Sequence, residues 1–170
     1  MPGQGNRIDF VTGAPEKYAD LVDRLTALPN KVRAAVGNLS DAAARQEPAD
    51  GGWSVARNLG HLLFIAEAND VFIHQMAKMT SPARKDFPIG VIAEDLEVLP
   101  VATLLQRIDD AISHTVELLG HTPDAAWGRP GEVRGMRRSI RQMAVAHADH
   151  FEEHIATLAA MTGAKAGAAR

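Results

Sequence analysis

The stretch that decides the fold runs from residue 139 to 161 and reads SIRQMAVAHADHFEEHIATLAAM. Five of its residues recur at a spacing of three or four: Met143, His147, His150, His154 and Leu158. At about 100° per residue this spacing places the five side chains on one strip of an α-helix. Because Met143 and Leu158 bracket the strip, we expect it to face the inside of a helical bundle.

The same amphipathic spacing predicts two helices in the first half of the chain. The first runs from about residue 16 to 39 and contains Pro29, which should kink the helix or restart it. The second runs from about 55 to 79, and Ser54 is a suitable N-cap for it. Ser139 has the same role before the last helix.

A further helix should begin after Pro100 and end near Gly120, with one apolar face along its whole length. No segment shows the alternation of polar and apolar residues that is typical of a strand, and 83–99 is predicted to be a long ordered loop. Four amphipathic helices joined by such connections predict an all-α protein, a four-helix bundle with long connecting loops.

Length and composition agree with a single domain. The chain has 170 residues, 46% of them hydrophobic and 23% charged, which is ordinary for a globular protein. The bundle should occupy 15–162. Residues 1–14 are polar and glycine-rich and should form a flexible lead-in, and 163–170 should form a flexible tail.

Charge and residue usage exclude several classes of function. The formal net charge of -3 gives no attraction to nucleic acid or to an anionic membrane. There is no signal-peptide pattern, and no apolar run approaches the roughly 18 residues of a membrane span, so a cytoplasmic location is expected. The absence of cysteine excludes disulfides, thiolate ligands and a cysteine nucleophile.

Two histidines of the last helix have the spacing of a metal site. His150 and His154 are four residues apart, so their imidazoles lie on adjacent turns, close enough to share one ion. The zincin protease motif has this spacing but needs a glutamate directly after the first histidine, where this chain has Phe151. A zincin protease is therefore disfavoured.

A third ligand must come from another helix. His61 is the strongest candidate because it lies on the apolar face of the second predicted helix, whereas His74 and His114 are less well placed and His121 falls in a loop. The alternative is a set of core histidines that hydrogen-bond to one another, to carboxylates or to Tyr18.

Three segments resemble the DinB-like superfamily, also called YfiT-like metal-dependent enzymes. They are WSVARNLGHL at 53–62, TPDAAWGRP at 122–130 and HADHFEEHI at 147–155. They correspond to the start of the family's second helix with its metal histidine, the tryptophan-containing loop before the last helix, and the closing helix with its histidine pair. The resemblance extends from about residue 16 to 161.

The resemblance implies an up-down-down-up bundle with a three-histidine centre. Transferred residue by residue, the ligands become His61, His150 and His154, and the ion is expected to be zinc or nickel. The function implied is a metal-dependent thiol S-transferase or isomerase that acts on a small-molecule substrate with a low-molecular-weight thiol. A metal-dependent hydrolase and a non-enzymatic metal-binding or stress-response module remain alternatives.

Other residues near the expected centre are candidates for substrate contact. His147 is interpreted as a hydrogen-bond donor behind the ligands, a fourth ligand or a general base, with a hydrogen-bonded core histidine as the alternative. Arginines cluster around the start of the last helix, and three of them, with Trp53, are candidates for binding substrate: Arg137, Arg138 and Arg141. Solvated arginines and a packed tryptophan are the simpler interpretations. Homodimerisation is also expected, through apolar surface left on the first and third helices.

Overall fold

Four long helices and two short ones make up most of the computed structural model, which describes residues 15–164. In chain order the helices are α1 (Glu16–Val36), α2 (Asp41–Ala44), α3 (Val55–Lys78), α4 (Ile89–Leu96), α5 (Val101–Gly120) and α6 (Ile140–Thr162). The expected lead-in at 1–14 and the tail beyond residue 164 lie outside the described residues.

The long helices form the predicted bundle. Helices α1 and α3 each pack against both α5 and α6, and they lie across the bundle diagonal from each other. Helices that follow one another in the chain are therefore not always neighbours, and the connections from α1 to α3 and from α5 to α6 cross the bundle. The contact between α3 and α6 brings the second and last predicted helices together.

Both predicted serine caps are confirmed. Ser54 accepts a hydrogen bond from the backbone N–H of Arg57 at the start of α3. Ser139 accepts one from the N–H of Gln142, whose side chain accepts in return from the backbone N–H of Ser139. This reciprocal capping box satisfies two N–H groups that a helix start leaves open, and it fixes where α6 begins.

Pro29 does not restart the first helix, which was one of the two outcomes expected of it. Helix α1 continues through this buried residue and ends at Val36, before the left-handed Gly37, rather than at residue 39. A proline removes one backbone hydrogen bond, and the packing of the surrounding apolar face offsets that loss here.

The connection predicted as a long loop at 83–99 contains a helix and a strand. Helix α4 packs against α3, where an added Cβ on Gly60 would lie 2.7 Å from the Ala93 carbonyl oxygen. Strand β1 (Ala83–Arg84) runs parallel to β2 (Pro130–Val133), which pairs antiparallel with β3 (Met136–Ser139). These strands have two to four residues, too short to show a period-two pattern.

The apolar surface expected on the first and third predicted helices is not where the structure exposes large apolar side chains. In the described part of the chain, the most exposed ones lie around α3 and α4 and in the loops, among them Val71, Phe87, Val91 and Val98. No helix within 15–164 is long and apolar enough to cross a membrane.

Candidate metal centre

Three histidines on two packed helices converge at one point. His61 lies on α3 and is only 6% exposed, while the half-buried His150 and His154 lie one turn apart on α6. One ring nitrogen from each lies within 4.8 Å of the others, and the Nε2 atoms of His61 and His150 are 2.9 Å apart. The structure therefore brings together the three residues that the resemblance selects.

Asn58, one turn before His61, orients one member of the cluster. The Nδ1–H of His154 faces the Oδ1 of Asn58 at 3.4 Å, a long hydrogen bond. The Asn58 amide is held in turn because its nitrogen donates to the carbonyl oxygens of Trp53 and Ser54. A proton on Nδ1 of His154 leaves Nε2 with its lone pair, which is the form that binds a metal.

The surroundings keep the three imidazoles neutral. Burial lowers the pKa of His61 to about 4, and the nearby His154 and His150 contribute to that lowering. Burial also lowers the pKa of His150 and of His154, against an opposing contribution from Glu153. Since a metal ion binds only deprotonated imidazole, the cluster is in its ligating form at neutral pH.

The residues present suit a divalent cation. Neutral imidazole is a common ligand of zinc, nickel and other first-row metals. The three donors come from rigid helices whose packing sets their separation, and the chain has no cysteine that would alter the donor set. No fourth donor from the described residues completes the cluster. Such a three-donor set is typical of catalytic rather than structural zinc sites.

His147 lies one turn before His150 and is only 1% exposed. Neither of its ring nitrogens has a hydrogen-bond partner among the described residues, and burial lowers its pKa to about 4, with His150 contributing and Asp70 opposing. An unpaired buried polar group costs on the order of 1–3 kcal/mol, and the described residues supply no partner of the kind that a hydrogen-bonded core histidine needs. Its side chain borders a pocket beside the cluster, with both ring nitrogens enclosed.

A pocket of about 400 Å³ opens beside the cluster. His61, His147 and His150 line it, and three arginines, Arg84, Arg134 and Arg138, are also part of its wall. The pocket therefore places a small molecule beside two of the three histidines of the cluster.

Of the predicted substrate-binding residues, only Arg138 lines this pocket. Arg137 and Arg141 are exposed outside it. Trp53 is 36% exposed, and its ring lies edge-on to that of His61 with the centroids 5.5 Å apart. Trp53 therefore packs against a candidate ligand rather than lining the pocket.

Arg84 lines the pocket, although the sequence did not suggest it. It lies on β1, and the pairing of β1 with β2 joins Arg84 to Val133, far along the chain. A two-residue strand has no local signal, so no pattern in the sequence could have placed this arginine beside the histidines.

The remaining histidines lie elsewhere. His74 and His114 stack with ring centroids 4.1 Å apart and planes 12° apart, and both Nδ1 atoms approach the carboxylate of Asp70, at 3.2 and 2.7 Å. Lone pairs in nearly parallel ring planes do not converge on one ion, which favours a hydrogen-bonded arrangement here. His121 is exposed and its Nδ1 bonds the Glu117 carbonyl oxygen.

The fold and this cluster define a class of protein: a four-helix bundle with three histidines converging beside an open pocket. The sequence matches the DinB superfamily over residues 24–158, and the chain belongs to that family.

Among solved structures, the chain resembles YfiT from Bacillus subtilis, described as a probable metal-dependent hydrolase with an unusual four-helix bundle topology. The TM-score is 0.76 at 19% identity, and the match covers 89% of this chain and 91% of YfiT. At this identity the likeness establishes the fold. Among curated proteins, none matches the sequence.

Proposed function

We propose that the chain binds a divalent metal ion through His61, His150 and His154 and uses it as the catalytic centre of an enzyme. One observation carries the proposal: three neutral imidazoles from two rigid helices converge at the wall of a pocket that admits a small molecule. The description of YfiT as a probable metal-dependent hydrolase is consistent with it.

The residues around the centre have separate roles. A divalent ion held by neutral histidines supplies Lewis acidity, which makes a water or a thiol acidic enough to react near neutral pH. Asn58 holds His154 in the tautomer that keeps Nε2 free. His147 borders the pocket, but both of its ring nitrogens are enclosed and its pKa is about 4, so we assign it no proton transfer.

The specific reaction that we propose is transfer of a low-molecular-weight thiol, with zinc or nickel as the ion. The chain has no cysteine, so the sulfur must arrive on the cosubstrate. The thiol S–H bond breaks as its proton passes to water, and the sulfur forms a bond to an electrophilic carbon of the second substrate. The bond to the leaving group breaks, and that group departs with its electron pair, to be protonated by water.

Thiol transfer is tested with chelator-stripped protein reloaded with zinc or nickel. Glutathione, bacillithiol and mycothiol are offered in turn with a chlorinated aromatic electrophile, and thioether formation is measured. We expect transfer only with metal and thiol together, a loss of at least roughly 100-fold in His61→Ala, and no change in His121→Ala. Stoichiometric metal binding without transfer from any of these thiols would contradict this reaction.

Hydrolysis is the second candidate, favoured by the description of YfiT. The same pocket is open to water, which is the nucleophile of this reaction. An ester or amide panel without thiol separates the two reactions. Metal-dependent cleavage that requires His61 supports hydrolysis, whereas cleavage that is equal in His61→Ala excludes this centre as its source.

A further inference from the structure

We infer that Arg84 and Arg138 form an anion-binding subsite in the pocket beside the histidines, so that the substrate is a small organic acid with a carboxylate or another oxyanion group. This inference names the substrate class for the proposed function and rests on it for the reaction. Binding of the anion itself depends on the arginines alone, so it is tested separately.

These two arginines have no oxyanion partner among the described residues. Within 15–164, the other half-buried arginines all donate to carboxylate or backbone carbonyl oxygens: Arg24, Arg33, Arg57, Arg107 and Arg129. Arg84 donates instead to the amide oxygen of Asn69 at 2.9 Å, while Arg138 contacts the sulfur of Met136 at 3.7 Å. Both line the same pocket.

Arg84 is a partly desolvated cation with unused hydrogen-bond donors. Burial lowers the pKa of its guanidinium, and the neighbouring Arg134 lowers it further, against a smaller opposing contribution from Asp86. Arg134 also lines the pocket, but it pairs with Asp86 at 3.3 Å. A guanidinium has five N–H donors, and one of those of Arg84 is engaged with Asn69, so a bound oxyanion would compensate its charge and use the remaining donors.

Arg84 is held in place before any ligand arrives. Asn69, itself buried, fixes one end of the guanidinium, and the ring of Phe72 lies 5.9 Å from its Cζ. Its backbone is part of the β1–β2 pairing. A preorganised cation binds an anion with less loss of side-chain entropy than a free surface arginine.

The rest of the wall limits the ligand to a small molecule. Ile65, Ile89, Val133 and Met143 supply apolar surface between the arginines and the histidines. A volume of about 400 Å³ suits a short carbon skeleton with an anionic head, whose uncharged part then lies near the candidate centre.

Titration calorimetry with succinate, and with succinamide as the neutral isostere, tests the subsite. Relative to wild type, we expect Arg84→Gln to weaken succinate binding by at least roughly 10-fold and Arg138→Gln to weaken it several-fold. Arg84→Lys should retain part of the affinity. Arg141→Gln, an exposed arginine near the same helix start, is the matched control and should bind as wild type does. Equal binding of succinamide, or wild-type affinity in Arg84→Gln, would overturn the inference.

The titrations are run on protein as purified and after chelation, because a carboxylate also binds a metal ion directly. Succinate binding that survives chelation and requires Arg84 supports the subsite, even where no catalytic activity is found. Binding that disappears on chelation and is unaffected by Arg84→Gln assigns the anion to the metal and overturns the subsite. Arg138→Gln and Arg84→Lys keep the test decisive should Arg84→Gln fail to fold.

Discussion

His147 and His154 lie on the same helix, two turns apart, and meet opposite surroundings. The ring of His154 faces the Asn58 oxygen, while His147 is enclosed without any hydrogen-bond partner among the described residues. Burial shifts the pKa values of both in the same direction. Their difference in partners separates a candidate ligand from a buried histidine that has no hydrogen bond to the described residues.

The buried His147 predicts a pH dependence of stability. Its pKa is about 4 in the folded protein, against about 6.5 for an unfolded chain. Between these values the unfolded state binds the proton and the folded state does not, so the free energy of unfolding falls as the pH drops from about 6.5 to about 4. The slope from one histidine is about 1.4 kcal/mol per pH unit.

This dependence is measured by urea unfolding of metal-free protein at neutral pH and at two values between the folded and unfolded pKa. We expect His147→Leu to lose less stability on acidification than wild type, because one of the groups that resists protonation is gone. The exposed His121→Ala should keep the wild-type slope. A slope in His147→Leu as steep as that of wild type would contradict the effect of burial on this residue.

Asn58 offers two substitutions with opposite effects on the metal. Asn58→Leu removes the oxygen that faces His154 and should weaken metal affinity about 10-fold, as loss of such an orienting contact does elsewhere. Asn58→Asp keeps an acceptor there and should bind metal at least as tightly as wild type. Both lose the donors to Trp53 and Ser54, so both should be less stable.

Competition with a chromogenic chelator measures the affinity of each Asn58 variant, and unfolding measures its stability. A similar loss of affinity in both variants would show that the effect comes from general destabilisation and not from the contact with His154.

Single residues were predictable from the sequence where the signal is local. The four-residue spacing of His150 and His154 is such a signal, because it follows from helix geometry. His61 was favoured over His74 and His114 by its place on the apolar face of its helix, and the family resemblance then assigned it as the third ligand. The position of Arg84 depends on a pairing between distant residues, so neither helix geometry nor the family resemblance could predict it.

At the scale of elements, the close approach of α4 to α3 is set by one glycine. A Cβ on Gly60 would lie 2.7 Å from the Ala93 carbonyl oxygen and 3.1 Å from the Leu96 Cβ. Gly60→Ala must therefore displace α4 and should cost about 1–3 kcal/mol of stability. Because Gly60 precedes His61, the displacement should also lower metal affinity.

Gly120→Ala is the matched control for that substitution. Gly120 is the last residue of α5, and a Cβ added there would have no neighbouring atom within 4 Å among the described residues. Alanine there should stabilise the protein by about 0.4–1 kcal/mol through the unfolded state. Urea unfolding measures the free energy of unfolding of both variants, which should fall in Gly60→Ala and rise in Gly120→Ala. A Gly60→Ala protein as stable as wild type would contradict the packing of α4.

Helices with an N-cap and a long apolar face were predictable from the sequence, as the starts of α3 and α6 show. Helix α4 was not, because only Ala93 of its eight residues is buried and prolines lie close to both of its ends. The three strands are held by pairing with each other, and Gly131 of β2 approaches Phe72 and Met76 so closely that a side chain would clash. Such contacts between distant residues leave no periodic pattern in the sequence.

At the scale of the whole molecule, the diagonal placement of α1 and α3 puts α3 beside α6 and so assembles the cluster. The core contains large apolar side chains from all four long helices, including Leu25, Phe72, Ile108 and Phe151. The histidine centre lies at the edge of this core. We therefore expect the bundle to fold without a metal ion.

Thermal unfolding with and without chelator tests whether the bundle folds without a metal ion. We expect metal to raise the melting temperature by several degrees through binding to the folded state, and the chelated protein to remain folded at room temperature. His61→Ala should lose the metal-dependent shift. Unfolding on chelation at room temperature would indicate a structural ion and would favour the non-enzymatic alternative.

The metal content of purified protein tests the three-histidine centre most directly. Elemental analysis of wild type, His61→Ala, His150→Ala and His154→Ala is compared with His74→Ala, which changes a histidine of the other cluster. The centre predicts about one divalent ion per chain in wild type and in His74→Ala, with a loss of most of it in each of the other three variants. Full occupancy in any of those three variants would remove that histidine from the ligand set, and full occupancy in all three would contradict the centre itself.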